Sequence, residues 1–290
     1  MSKELERILE RLDQLLPPAP PATDWAASIA FRWRASGRRG TGAGGATAGY
    51  LQPVRQVHRI KLADLRGIDR QIERVEQNTR QFLDGKPANN VLLTGARGTG
   101  KSSIVKALLN KYSRRGLRLI EVEKNDLIDL PNIVDQVAER HERFIVFCDD
   151  LSFQGAEEGY IALKVALDGS ISTTSENMLI YATSNRRHLM PEYMAENLET
   201  RYVGDEIHPG ETVEEKISLS ERFGLWVTFY PFDQDEYLAI VGHWLTTLGI
   251  KEGDAAREAA LQWSLQRGSR SGRVAYQFAR DWAGRHSKKK

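Results

Sequence analysis

Residues 95–103 read GARGTGKSS, directly after the apolar run VLLT (91–94) and at the head of the helical pattern KSSIVKALLNKY (101–112). This stretch constrains the chain more than any other. Gly95, Gly100, Lys101 and Ser102 stand at the spacing G-x-x-x-x-G-K-[ST]. Glycine at such places lets the backbone turn tightly and aim its amides at an anion. The helix that follows adds the positive end of its dipole. Lys101 would reach the β- and γ-phosphates of a nucleotide, and the Ser102 hydroxyl would ligate Mg²⁺. The phosphate-binding segment is read as Gly95, Ala96, Arg97, Gly98, Thr99, Gly100, Lys101, Ser102 and Ser103. The competing reading is a glycine turn carrying a surface lysine.

The runs VLLT, LRLIEV (117–122), FIVFCD (144–149), MLIYATS (178–184) and LWVTFY (225–230) alternate with helical stretches. They are apolar at consecutive positions, as strands covered on both faces of a parallel sheet are. This predicts an α/β fold, an αβα sandwich on a five-stranded parallel sheet. After Pro231 the strands stop. Helical patterns at about 233–248, 254–267 and 271–285 read as a small C-terminal lid. The expected division is 1–56, 57–231 and 232–290. The first part would hold a helix over 3–16, ended by PPAPP, the small segment DWAASIAFRWR, and a flexible glycine-rich connector over 36–49. In the second part, Ile68, Ile72, Val75, Phe82 and Leu83 mark one helical face, closed by Gly85 and Pro87.

Charge narrows the partners. Forty-one Lys and Arg nearly cancel 39 Asp and Glu, leaving +2, so any basic site must be local. The arginines at 32, 34, 38 and 39 are the basic candidates for nucleic acid. One cysteine, Cys148, allows no internal disulfide. No apolar run approaches the roughly 20 residues that span a bilayer, and MSKELERILE is too charged for a secretory signal. A cytoplasmic protein is expected.

Other polar positions extend the argument. FIVFCDDL ends an apolar strand in Asp149 and Asp150. Asp149 fits the acid that holds Mg²⁺ at the end of a buried strand. Asp150 is either the base that polarises an attacking water or a turn cap. Asn185 follows the run ATS at the strand edge where ligands bind; asparagine is also a common turn residue. TVEEKISLSERF opens with a capping box, Thr212 with Glu215, and carries Arg222 near its end. Arg273 stands at the start of the last helix. For both arginines the plain alternative is a solvated surface position. The acidic insert between Asn185 and Arg222 reads as a partner contact or as a solvated loop.

Taken in order, these motifs resemble the AAA+ ATPase superfamily over residues 57–285. LADLRGID (62–69) resembles the segment leading into its nucleotide pocket, GARGTGKS its Walker A motif and FIVFCDD its Walker B. Asn185 is similar to sensor 1, Arg222 to the arginine finger and Arg273 to sensor 2. NVLLTGARGTGKSS, FCDDLSF and ATSNRRHLMPEYM resemble an uncharacterised bacterial group of ATP-binding proteins. The resemblance implies ATP and Mg²⁺ (held by Ser102 and Asp149), with Lys101, Asp149, Asp150, Asn185, Arg222 and Arg273 carrying hydrolysis. It also implies a ring or spiral of identical subunits acting on an unidentified macromolecule. Two features depart from common members. The second Walker B acid is aspartate rather than glutamate, and EKNDLIDLPN has no aromatic pore-loop residue. A nucleotide-dependent switch with little turnover is the alternative, and a small-molecule kinase the third.

Overall fold

The computed structural model describes residues 22–35, 49–153, 157–168, 176–185, 201–203, 206–208, 219–251 and 253–286. The chain runs β1 (Ala30–Arg34), β2 (Tyr50–Pro53), α1 (Asp69–Leu83), β3 (Val91–Gly95), α2 (Lys101–Tyr112) and β4 (Leu117–Glu121). It continues through α3 (Leu130–Val137), β5 (Arg143–Cys148), α4 (Glu158–Asp168), β6 (Met178–Ser184), β7 (Arg201–Val203) and β8 (Glu206–His208). It ends in β9 (Leu225–Phe229), α5 (Gln234–Thr247), α6 (Asp254–Gln266) and α7 (Gly272–His286).

Consecutive apolar residues divide between two cores. Val91, Leu93, Ile145, Phe147, Leu179 and Tyr181 face one side with α1, α2 and the three C-terminal helices. Leu92, Phe144, Val146, Cys148, Ile180 and Ala182 face the other with α3 and α4. Period-2 side-chain direction makes this split, and both faces need apolar residues because both are covered. The αβα sandwich inferred from the uninterrupted runs is therefore the observed architecture.

The strand order is β2-β1-β4-β5-β6-β3-β9. All neighbours are parallel except β1 and β2. From β3 the chain crosses out to β4 and returns through β5 and β6, so the loop after β3 lies where the order reverses. Such a switch point opens a crevice at the carboxyl ends of the strands.

The sheet has seven strands where five were expected, and the extra two precede residue 57. Strand β1 joins the edge at β4, with Ala30 opposite Leu119. Its sequence AFRWR alternates: Phe31 and Trp33 are fully buried, while Arg32 reaches Glu121 at 2.6 Å. That alternation differs from the uninterrupted apolar runs, and glycine-rich sequence beside it masks the strand. The helix expected over 3–16, residues 36–48 with Arg38 and Arg39, and the capping box at 212–215 lie outside the described residues. Within the acidic insert, β7 and β8 form an antiparallel pair.

The C-terminal helices begin where the sequence places them. Asp233 caps α5 in a reciprocal box: its Oδ1 accepts from the Glu236 amide at 2.8 Å, and Glu236 Oε2 accepts from the Asp233 amide at 2.9 Å. Helix α7 packs Val274, Ala275, Phe278 and Ala279 into the same core as α5. Among the described residues no helix is long and apolar enough to cross a membrane.

Trp33 anchors the added strands. Its indole N–H donates to Asp129 Oδ2 at 2.9 Å, and Asp129 is itself buried. Trp33→Ala should lower unfolding free energy by about 3–5 kcal/mol in urea titrations. Trp33→Phe keeps most of the ring but strands the carboxylate, and should cost about 1–3 kcal/mol. If neither variant shifts the midpoint, the strands before residue 57 contribute nothing to the cooperative unit.

Candidate nucleotide-binding site

Backbone geometry shapes the cradle first. Gly95, Gly98 and Gly100 have φ of 120°, 74° and 105°, values that L side chains resist. At Gly95 a Cβ would also fall 1.9 Å from the Phe229 carbonyl oxygen. The Thr99 hydroxyl donates to the Ala96 carbonyl at 2.8 Å and closes the loop. Helix α2 then starts at Lys101, so its first amides, which have no intrahelical partner, point into the concavity.

Lys101 is buried. Its ammonium donates to the Gly95 and Ala96 carbonyls, each at 2.7 Å, and to Asn185 Oδ1 at 3.1 Å. Burial pushes its pKa down to about 8, against the pull of Asp149 and Asp150, with Arg97 and Arg273 pushing the same way as burial. The two arginines therefore stand close enough to share the site's field with the lysine.

The paired acids sit one strand away. Register brings them there: Cys148 lies opposite Ala182, so the residues just beyond β5 face the end of β6. Asp149 Oδ1 accepts from the Ser102 hydroxyl at 2.5 Å and from the Thr183 hydroxyl at 2.7 Å. The Asp150 amide donates to Thr183 Oγ1 at 2.9 Å. Asn185 Nδ2 donates to Asp150 Oδ1. A continuous hydrogen-bonded chain thus runs from Lys101 through Asn185, Asp150 and Thr183 to Asp149 and Ser102. Asp150 has φ 54°, the one non-glycine residue with positive φ among those described. It occupies a turn and also faces the site, so the two readings of this residue are compatible. An aspartate tolerates this left-handed conformation better than most side chains.

Thr183 is the residue that sequence reasoning missed. A threonine at the end of a buried strand is unremarkable by itself. The signal was available only from pairing: position 183 follows the residue opposite Cys148, which places it beside the acids.

The lid contributes through the start of α7. The Gly272 amide donates to the Gly98 carbonyl at 2.9 Å. A Cβ on Gly98 would lie 2.8 Å from Ser271 Oγ and 3.4 Å from Arg273 Cβ. Arg273 is thereby placed at the cradle. Arg222 is not. It precedes β9, at the end where Leu225 pairs with Val91, whereas the cradle begins where Phe229 pairs with Gly95. The strand between spans about 13 Å at about 3.3 Å per residue. Arg222 Nε is ion-paired to Asp168 Oδ1 at 2.5 Å, at the end of α4.

The Ser102 hydroxyl and the Asp149 carboxylate are hard oxygen donors suited to Mg²⁺. Among the described residues no group of three or more His, Cys, Asp or Glu is placed to hold a metal. These two side chains, Ser102 and Asp149, would hold a Mg²⁺, which would supply positive charge beside a bound phosphate.

Comparison with known proteins agrees with this geometry. Residues 27–286 match the family described as "Protein of unknown function (DUF815)". The chain belongs to that family. The DUF815 chain is similar in structure to the Aeropyrum pernix ORC1 protein solved in complex with DNA. The TM-score is 0.54 at 16% identity, over 77% of this chain and 62% of that one. It is likewise similar to the FIGL-1 AAA domain solved in complex with ADP. There the TM-score is 0.51 at 18% identity, over 79% of this chain and 74% of that one. At these identities the shared property is the fold alone. Among curated proteins, a 26S proteasome regulatory subunit 4 homolog of Schizosaccharomyces pombe is 30% identical over 156 residues, 44% of this chain and 35% of that protein. One from Encephalitozoon cuniculi is 27% identical over 133 residues, 39% of this chain and 31% of that protein. The matched stretches span about a third of those relatives.

The lowered Lys101 pKa has a definite sign. Between about 8 in the folded chain and the ordinary value of 10.5, the unfolded chain binds more protons at this position, so stability rises with pH across that window. Urea titrations from pH 7.5 to about 9, below the range where the buried Cys148 thiol, pushed up from 9.0 to about 12, opposes the trend, should show the rise, and Lys101→Met should flatten it. An identical slope in the variant would mean the ammonium is not disfavoured by folding.

Proposed function

We propose that this chain binds ATP with Mg²⁺ in the cradle, hydrolyses it at the contact between two copies, and uses the cycle to remodel a macromolecule. The observation that carries the reading is the unbroken chain Lys101–Asn185–Asp150–Thr183–Asp149–Ser102. It links the phosphate-binding lysine, the metal-holding pair and an acid free to face water into one unit. Bound ATP supplies the scissile phosphoanhydride, and Mg²⁺ neutralises its phosphates. Ser102 and Asp149 would hold the ion, and Lys101 with the loop amides would grip the phosphates. Asp150 would align a water for in-line attack while Asn185 fixes that carboxylate. Arg273 would carry the lid's position to the cradle, since its helix is hydrogen-bonded to Gly98.

Arg222 stands at the other end of β9 from its own cradle, which supports a role on a neighbour's nucleotide and hence a ring or spiral of identical subunits. The pair with Asp168 would then have to open on assembly. Such an arginine contributes about 10³–10⁵ in rate.

A second reading is a nucleotide-dependent switch with little turnover. It is favoured by the way Asn185 donates to Asp150, occupying an oxygen that a water would otherwise meet, and by the short reach of an aspartate. Phosphate release by concentrated protein separates the two readings.

Arg222→Ala should keep ATP affinity within a few-fold and lose about three orders of magnitude in turnover. Asp150→Asn should likewise bind but not hydrolyse. Wild-type turnover in Arg222→Ala, or constant specific activity on dilution to a monomer verified by light scattering, would exclude action in trans.

A further inference from the structure

Helix α4 turns an apolar strip outward. Its exposed residues are Glu158, Ile161, Val165 and Asp168, while Tyr160 and Leu163 are buried. At about 100° per residue the four exposed positions fall within about 80° of arc. Ile161 is 53% exposed and Val165 48%. Among the described residues the other large exposed apolar side chains are Ile128, Tyr230, Leu248, Leu265 and Tyr276. Each of these stands alone on its element or turn, as scattered surface residues do. On α4 two β-branched residues one turn apart lie between two carboxylates.

Residues 3–16 lie outside the described residues, but their sequence carries the complementary pattern. In a helix Leu5, Ile8, Leu9, Leu12, Leu15 and Leu16 share about 120° of arc at about 100° per residue. Lys3, Arg7 and Arg11, with Glu4 among them, border that arc on one side; Glu6, Glu10 and Asp13 border it on the other. Such a helix needs an apolar surface to bury its stripe. The chain brings the two together. Trp25 lies 4.9 Å from the Phe31 ring and 5.3 Å from the Phe144 ring, on the face of the sheet that α4 covers. Phe144, near the start of β5, pairs with Met178, the first residue of β6. A crossover between parallel strands returns the chain to the edge where the next strand begins, so the Asp168 end of α4 lies at that same edge. Residues 17–22 span up to about 20 Å, about the width of two helices at about 10 Å each.

We propose that residues 3–16 dock as a helix on this strip of α4 in the same chain, laying their leucines and Ile8 over Ile161 and Val165. The linker arrives at the Asp168 end, so the segment runs beside α4 in the same direction. Its basic border then meets the two carboxylates. Lys3 and Arg11 are eight residues apart, about 12 Å of helix at about 1.5 Å per residue. Glu158 and Asp168 are ten apart, about 15 Å on the same measure. Lys3 is thus placed toward Glu158 and Arg11 toward Asp168, the carboxylate that also holds Arg222. The docking does not rest on the ATPase reading.

The test is trypsin cleavage of the full chain without nucleotide, read by mass spectrometry at Arg7 and Arg11. A synthetic peptide of residues 1–21 gives the rate for an uncovered segment. The full chain should be cut at least about tenfold more slowly than the peptide, since only the transiently opened segment is cleaved. Ile161→Glu/Val165→Glu should raise the rate to that of the peptide, and Leu265→Glu, at an exposed lid position, should leave it unchanged. A second measurement does not depend on the glutamate variant folding. In Ile8→Cys/Val165→Cys a short bismaleimide should join the two positions within one chain. Cys148 does not compete, because it is buried and its thiol is pushed up to about 12. The proposal is overturned if the full chain is cut as fast as the peptide, or if protection survives the two glutamates. It is also overturned if the cross-link joins two chains, which would make a second copy the occupant, or if the segment is protected only on phosphatidylserine vesicles. No nucleotide is present, so failure here leaves the hydrolysis reading standing, and failed hydrolysis leaves this result standing.

Discussion

The ammonium of Lys101 is held by two carbonyls of its own loop and by Asn185, and the rest of the site depends on that grip. Two of those acceptors are local. Gly95 and Ala96 are set by the glycine turn, which a strand and a helix on either side brace. The third, Asn185, follows directly on β6, which pairs with both β3 and β5. Asn185 spans the gap because β6 is the strand between the cradle and the acids. In this order Asn185 is the group that joins the lysine to Asp150.

Burial enforces the order. The strands that carry the site expose almost nothing: all seven residues of β6 are buried, and five of six in β5. A charged or polar group could not sit mid-strand in such a sheet without a partner. The polar side chains therefore gather where the strands emerge, at Thr183, Asn185, Asp149 and Asp150. Their mutual hydrogen bonds satisfy groups that would otherwise be stranded at the lip of the core. The lid follows the same logic. Its core is shared with α1 and α2, so its last helix is seated firmly enough for Gly272 to reach Gly98.

Legibility in the sequence varied with the kind of signal. The five long apolar runs, the cradle between 91 and 112, and the three C-terminal helices were readable because each signal lies within a few consecutive residues. Strands β1 and β2 were not, since AFRWR alternates instead of running apolar, YLQP is four residues long, and both stand beside glycine-rich sequence. Only pairing with β4 makes the first a strand. The positions of Lys101, Asp149, Asp150 and Asn185 were readable as motif members. Thr183 was not, because its hydroxyl acquires a role only when β6 lies beside β5. Arg273 was readable as the start of a helix, and its approach to the cradle needed the lid's packing.

By itself the sequence determined the glycine turn before α2, the two-sided burial of the sheet, and the class of fold, because these follow from local backbone chemistry and from where apolar residues stand. Tertiary structure alone decided which carboxylate meets which hydroxyl, that Asn185 joins the lysine to Asp150, and that Arg222 lies beside Asp168 at the far end of β9. Those facts depend on strand order and helix docking, which join residues as far apart as 101 and 185 through a core that no local pattern encodes.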